Sequence, residues 1–257
     1  MKLVRLSVMN GIDANSSRGQ ALSTKEQTAM LSNGALFAAA GGFLDGFTYV
    51  GHGHVFANAM TGNVVLLGIN CISGSWQTAF RHLPPILAFL LGISTARAIQ
   101  LRRLRRHLGD PYMAILALEV GILFALSLLP ANVPDFVITM SIAFAASVQV
   151  ETFREVAGSK YNSTFVTGNL RTLSEAAFDW FVRGHRPESA RIAMNFLVIC
   201  TAFLAGAAAG GYATPRFGNR ALWCDIVLLV LVAIRVRPQR EPLGSTPAEP
   251  TARVAAD

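Results

Sequence analysis

Residues 55–73, VFANAMTGNVVLLGINCIS, and residues 161–181, YNSTFVTGNLRTLSEAAFDWF, decide how this chain folds. Both are long enough to cross a membrane as helices, which takes about 20 mostly apolar residues. Yet each contains the same triplet, Thr61-Gly62-Asn63 in one and Thr167-Gly168-Asn169 in the other. Thr and Asn are helix N-cap residues, and Gly permits close backbone approach or an unusual φ. A cap inside an apolar stretch predicts a break, with a half-helix starting there. The second stretch also carries Arg171, Glu175 and Asp179. Each charge at a helix centre costs roughly 2.5–3.5 kcal/mol in a bilayer, so this stretch cannot face lipid.

The triplets are 106 residues apart, and the chain repeats at that offset without gaps. Asp45 falls on Glu151, Phe47 on Phe153, Leu67 on Leu173 and Glu119 on Asp225. Ile86, Leu91, Ile93, Thr95 and Ala96 meet Ile192, Leu197, Ile199, Thr201 and Ala202. Aliphatic matches are expected between any two apolar helices. Recurring intramembrane carboxylates and a Thr-Gly-Asn triplet at one offset are not. Each unit then holds four apolar segments, near 33–130 and 139–236.

Composition agrees with a membrane protein. Of 257 residues, 52% are hydrophobic and 14% charged, against about 25% charged in soluble domains. The net charge of +7 could indicate nucleic acid, but the basic residues fall in short groups between apolar stretches, so no nucleic-acid partner is expected. Three cysteines without a Cys-x-x-Cys spacing indicate neither a disulfide framework nor a zinc site. Apolar spans are expected at 33–51, 84–100, 111–129, 134–153, 191–213 and 221–236. Residues 1–29 read as a polar cytoplasmic tail lacking signal-peptide features, and residues 237–257 as a disordered tail.

Topology follows from Lys and Arg, which concentrate in cytoplasmic loops. If all eight segments cross, the inside holds 12 basic residues and the outside eight. If the two triplet segments enter and leave on one side, the division becomes 17 inside and three outside, with the Arg102–Arg106 cluster inside. The second arrangement is chosen. The fold expected is an all-α polytopic membrane protein with six transmembrane helices plus two re-entrant or broken helices. Residues 30–130 and 131–236 form two repeats of three crossings each, hence of inverted topology. Many secondary transporters and some channels are built this way.

The runs Gly41-Gly42-Phe43-Leu44-Asp45-Gly46, Phe56-Ala57-Asn58-Ala59-Met60-Thr61-Gly62-Asn63-Val64 and Thr164-Phe165-Val166-Thr167-Gly168-Asn169-Leu170 resemble the YoaK-type family of bacterial integral membrane proteins. The resemblance covers roughly residues 30–236. It implies an inner-membrane location and about six helices, but neither a substrate nor a family site.

The site residues therefore rest on this sequence. Half-helices starting at Thr61-Gly62-Asn63 and Thr167-Gly168-Asn169 would aim free N–H groups at the protein centre, where they invite an anion or polar group. The competing reading is close helix packing with Asn bonded across helices. Asp45 and Glu151 are symmetry mates inside their spans and are expected to bind protons or cations. Arg154 stands at i,i+3 from Glu151, whereas Asp45 has only Thr48 at that spacing. Glu119 and Asp225 form a second acidic pair, with Arg97 a possible partner for Glu119. His52-Gly53-His54 reads as an exposed loop, and Gly42, Gly46, Gly206 and Gly210 as packing residues. No P-loop, Gly-x-Ser-x-Gly or His-Glu-x-x-His is present. The function expected is a secondary transporter or channel for a small polar or ionic solute, with proton coupling suggested by the carboxylates. A scaffold or partner subunit is the alternative, and a lipid-directed enzyme the weakest reading. No cofactor or metal is expected. The partners are the lipid bilayer and the solute, and an oligomer is neither required nor excluded.

Overall fold

The computed structural model describes residues 24–99, 110–130, 132–152, 155–156, 159–160 and 166–235. The described helices are α1 (Thr24–Gly51), α2 (Met60–Ile72), α3 (Trp76–Arg81), α4 (Leu83–Ile99), α5 (Pro111–Ser127), α6 (Asp135–Thr152), α7 (Val166–Val182), α8 (Pro187–Phe217) and α9 (Leu222–Arg235). A 3-10 turn, Gly218–Ala221, links α8 to α9. A two-residue antiparallel pairing joins Glu155–Val156 to Ser159–Lys160.

Local chemistry sets several helix ends. Asp110 caps α5 by accepting from the Tyr112 N–H at 2.9 Å, and Pro111 occupies the first helical turn. There its missing N–H costs nothing and its fixed φ suits the helix. Pro187 opens α8 in the same way. After α2, Gly74 turns the chain at φ +74° toward α3.

The expected spans and the helices agree within two residues at most ends, but α1 starts earlier and α8 extends four residues beyond the expected 191–213 at each end. Helix α1 begins at Thr24, so residues 24–29 are helical and not part of a tail. Within residues 55–73 an irregular stretch precedes α2, as the predicted break requires, and α3 follows it. Residues 1–23, the Arg102–Arg106 cluster and the C-terminal tail lie outside the described residues.

Helix α1 packs most extensively on α8, and α4 on α6. The α1–α8 contact is made by small residues. A Cβ on Gly206 would lie 2.7 Å from the carbonyl carbon of Ala39, and one on Gly210 3.0 Å from that of Phe43. From the other side, a Cβ on Gly46 would lie 2.9 Å from the Gly211 nitrogen. Ala39 thus opposes Gly206, and Phe43 opposes Gly210, so the two helices run parallel. Gly92 of α4 meets Phe144 and Ser147 of α6, and Arg97 meets Glu151 further along. These two helices are parallel as well.

Contacts at the helix ends fix direction. His52, just past α1, donates to Asp135 at the start of α6 (Nδ1···Oδ1 3.0 Å). Helix α6 therefore runs back along α1. Gly53 sits beside both Asp135 and Arg81, so the chain between residues 53 and 81 leaves one end of the bundle and returns to it. At the other end Arg191 donates to Gln27, and Arg235 to Ser32. The chain between α6 and α8 starts and finishes at that opposite end.

The core lies between α1, α5, α6 and α9, built from Phe43, Leu44, Phe47, Leu123, Ile142 and Leu229. Outside, Leu87 and Leu91 of α4, Leu204 of α8 and Ile234 of α9 are exposed, while Asn63, Glu119 and Asp225 are buried. Apolar outside with carboxylates inside suits a lipid solvent, since monomeric soluble proteins rarely expose broad apolar surface. Trp76–Ile99 and Pro187–Arg235 are long and apolar enough to cross a membrane by length and composition.

Candidate functional site

The first polar cluster forms where the chain turns back toward α2. Asp45 is buried in α1, six residues before its end. One oxygen, Oδ1, accepts from the Asn58 N–H at 2.7 Å and the Ala59 N–H at 3.4 Å. These amides immediately precede Met60, the first residue of α2. Asp45 thus supplies from another helix the negative charge that an N-terminus attracts. Asn58 adds a bond from Nδ2 to the Gly41 carbonyl (3.1 Å). Thr48 does not reach the carboxylate, because its hydroxyl donates to the Leu44 carbonyl at 2.9 Å.

The first triplet occupies the opening turn of α2. Its cap position is Ala59, which makes no side-chain cap bond. Asn63, fully buried, bonds backward to Phe56: Oδ1 accepts from the Phe56 N–H (2.9 Å) and Nδ2 donates to its carbonyl (2.7 Å). His82 Nδ1 also stands 3.4 Å from Asn63 Oδ1. Gly62 has a packing reason, since a Cβ there would lie 2.8 Å from the Phe56 ring. The expected capping by Thr61 and Asn63 is therefore corrected. The helix end predicted to invite an anion is held by the Asp45 carboxylate, and Asn63 pins the turn that leads into it.

The second triplet holds the matching position in α7. Val166 is the first helical residue, Thr167 and Gly168 are exposed, and Asn169 is buried. A Cβ on Gly168 would meet nothing within 4 Å. Helix α2 packs on α3 and α4, whereas α7 packs on α8. The triplets therefore lie on separate neighbours, not in one shared contact.

Glu151 differs from its mate. It is buried, and its Oε1 receives Arg97 Nε at 2.6 Å. Arg97 was the expected partner of Glu119. It reaches Glu151 because α4 and α6 run parallel with Gly92 letting them close together. Arg154 lies outside the described residues. The residue 106 positions after Arg97 is Phe203, so Asp45 has no arginine at the matching place and spends its charge on backbone amides. The two acids also sit at different depths. Asp45 lies near the α1 end that meets Asp135, and Glu151 near the far end of α6, about 14 Å away at 1.5 Å per residue.

The second cluster is in the core. Glu119 of α5, Gln149 of α6 and Asp225 of α9 are all buried. Asp225 acts electrostatically on Glu119, and the Gln149 side chain lies against Glu119 within hydrogen-bonding reach. Glu119 Oε2, both Asp225 oxygens and Gln149 Nε2 find no well-formed partner among the described residues.

His52 is corrected too. It is buried, its ring packs against Phe47 at 4.8 Å, and it bonds Asp135, whereas the expectation was an exposed loop. Asn58, His82 and Gln149 were missed. Gln149 was visible in principle as an amide within the apolar run Ser141–Val150. The roles of Asn58 and His82 depend on how the chain returns between α1 and α4, which no local pattern gives.

The family described as "Protein of unknown function (DUF1275)" matches residues 34–235. The chain belongs to that family. The matched residues take in both triplets and both acidic pairs. The chain is also 27% identical over 199 residues to the "UPF0700 transmembrane protein YoaK" of Bacillus subtilis (strain 168), covering 76% of this chain and 88% of that protein. No solved structure matches.

Proposed function

We propose that this protein is a multi-pass transporter or channel of the bacterial inner membrane. It carries a small polar or ionic solute and couples that movement to protons. The membrane location is supported by the exposed apolar helix faces and by the transmembrane relative. In this reading α1, α4, α5, α6, α8 and α9 cross, both termini are cytoplasmic, and α2 and α7 are re-entrant. It assigns no enzymatic step.

The packing pattern supports two inverted repeats. Advancing by 106 residues carries α1 onto α6, α2 onto α7, α4 onto α8 and α5 onto α9. The close α1–α8 pairing then corresponds to α6–α4, α1–α9 corresponds to α6–α5, and α5–α9 corresponds to itself. All of these pairs are packed.

The observation that carries the proposal is the pair of return segments. One leaves and rejoins the end marked by His52 and Asp135, the other the opposite end. Each contains a helix with Thr-Gly-Asn in its first turn and a buried Asn. Irregular backbone at membrane depth is tolerated where it is buried in protein or lines a wet cavity, and transporter sites are commonly built from such half-helices. Solute contacts are assigned to Thr61 of α2 and to Thr167, Gly168 and Asn169 of α7, and coupling to the buried acids Asp45, Glu151, Glu119 and Asp225.

The test is reconstitution of the full chain into liposomes on a solid-supported membrane. Sodium, potassium, ammonium, inorganic anions and pooled amino acids are applied in turn, with a trapped pH dye in parallel. A current or pH change above empty liposomes, reduced by Thr61→Ala and by Thr167→Ala, supports the reading. Silence to every pool favours a scaffold or partner subunit. That second reading draws on the glycine-lined α1–α8 contact, which is packed tightly enough to be static.

A further inference from the structure

We propose that Glu119, Asp225 and Gln149 form a proton-binding site in the core, holding one proton at neutral pH. The inventory of donors and acceptors carries the argument. Among the described residues, three buried carboxylate oxygens, Glu119 Oε2 and Asp225 Oδ1 and Oδ2, lack partners, as does the buried donor Gln149 Nε2, whose side chain lies against Glu119. Ionised carboxylates only accept hydrogen bonds, so two of them leave this cluster with surplus acceptors and two negative charges. Like charges in one desolvated site cannot both be kept. A single proton removes one charge and turns one acceptor into a donor. Gln149 supplies a second donor on the Glu119 side of the pair.

Among the described residues the surroundings offer no other remedy. Helices α1 and α6 and the 3-10 turn pack against α5 and α9. They bring Asp45, which is bonded to the start of α2, and Tyr49, which stacks on Phe56 at 4.8 Å. They also bring Asp135 and Glu151, bonded to His52 and Arg97, and Arg220, which is exposed. None of these gives the pair a positive charge. The position in the fold adds meaning. Helices α5 and α9 are the pair that the 106-residue shift exchanges with itself, so the two acids meet where the halves of the molecule meet. A proton gained or lost there changes the charge on that seam.

This inference deepens the coupling part of the proposed function and rests on it for its role, but the site is read without transport. Infrared spectra of the full chain in lipid nanodiscs are recorded at neutral pH in H2O and D2O, for the wild type and for Glu119→Gln/Asp225→Asn. The amides keep the shape of the acids and supply their own donors, and the single variants serve if the double variant does not fold. The wild-type minus variant difference is expected to hold the carbonyl stretch of about one protonated carboxyl group per chain, shifted in D2O. A difference containing only carboxylate bands overturns the proposal. So does a protonated band that sodium chloride removes and choline chloride does not, because the site is then a cation site. If the band is found and the liposomes remain silent, the proton site stands and the transporter reading fails.

Discussion

Gly206→Ala tests the α1–α8 contact with the smallest perturbation available. The new methyl would lie 2.7 Å from the carbonyl carbon and 2.9 Å from the Cα of Ala39. A carbon–carbon contact is optimal at about 3.5–4.0 Å, so the helices must part by about 1 Å, a gap that forfeits a quarter to a half of the dispersion attraction across the seam. Overpacking of this kind costs about 1–3 kcal/mol. Backbone atoms cannot swing aside as a flexible side chain can, so the upper end applies. Replacing helical Gly by Ala returns about 1 kcal/mol of propensity, leaving a net loss of about 2 kcal/mol. At about 2–4 °C per kcal/mol for a chain of this size, the melting temperature falls by about 4–8 °C. Gly121→Ala is the control. A Cβ there meets nothing within 4 Å, so the same change should raise the melting temperature by about 2–4 °C. Both variants are compared in one detergent by intrinsic fluorescence and by recovery of the monodisperse peak after heating. Equal shifts for the two would refute the close approach of α1 and α8.

Asp45→Ala removes the acceptor for the Asn58 and Ala59 amides, worth about 1.5–3 kcal/mol for a charged acceptor. Hydrogen exchange should quicken at residues 56–63 and stay unchanged in α9; uniform exchange across the chain would show that Asp45 does not hold the start of α2. Arg97→Leu removes the Arg97 partner of the buried Glu151 and should destabilise more than Arg97→Leu/Glu151→Leu, which removes both members of the pair. If the double variant is the weaker one, the pair is not the element that keeps Glu151 in place. In a background lacking Cys71, Cys200 and Cys224, an impermeant thiol reagent applied outside intact cells should label Asn132→Cys and spare Arg186→Cys. Labelling of both sites from outside would defeat the proposed orientation.

Much of the helical frame is legible because apolar length and Pro, Gly and Asp punctuation are local signals. The predicted start of the third span at Pro111 coincides with α5, whose cap and first turn read directly from Asp110-Pro111. The start of α1 was missed because residues 24–28 are polar, and polarity resembles a tail unless tertiary contacts such as Arg235 with Ser32 are known. The site was legible as residue types and not as partnerships. Asp45, Glu119, Glu151 and Asp225 stand out as carboxylates in apolar runs, and all four are buried. What each one meets depends on helix direction and register. Arg97 lies nearer in sequence to Glu119 than to Glu151, yet parallel packing of α4 on α6 hands it to Glu151. Asp45 was read as lacking a basic neighbour, and the answer was a backbone partner. No amino-acid pattern advertises a main-chain N–H.

The exchange of partners between the two halves carries a consequence for biosynthesis. Helix α1 finds its closest neighbour only in α8, which the ribosome delivers roughly 150 residues later, some 8–30 s at about 5–20 residues per second. During that interval the glycine row of α1 has no mate, and α4 is complete before α6 exists. The nascent chain therefore waits with its most adhesive surface open. Two nascent chains on one polysome can pair α1 of one with α8 of the other, so the same interlock that stabilises the monomer is a ready route to a swapped dimer.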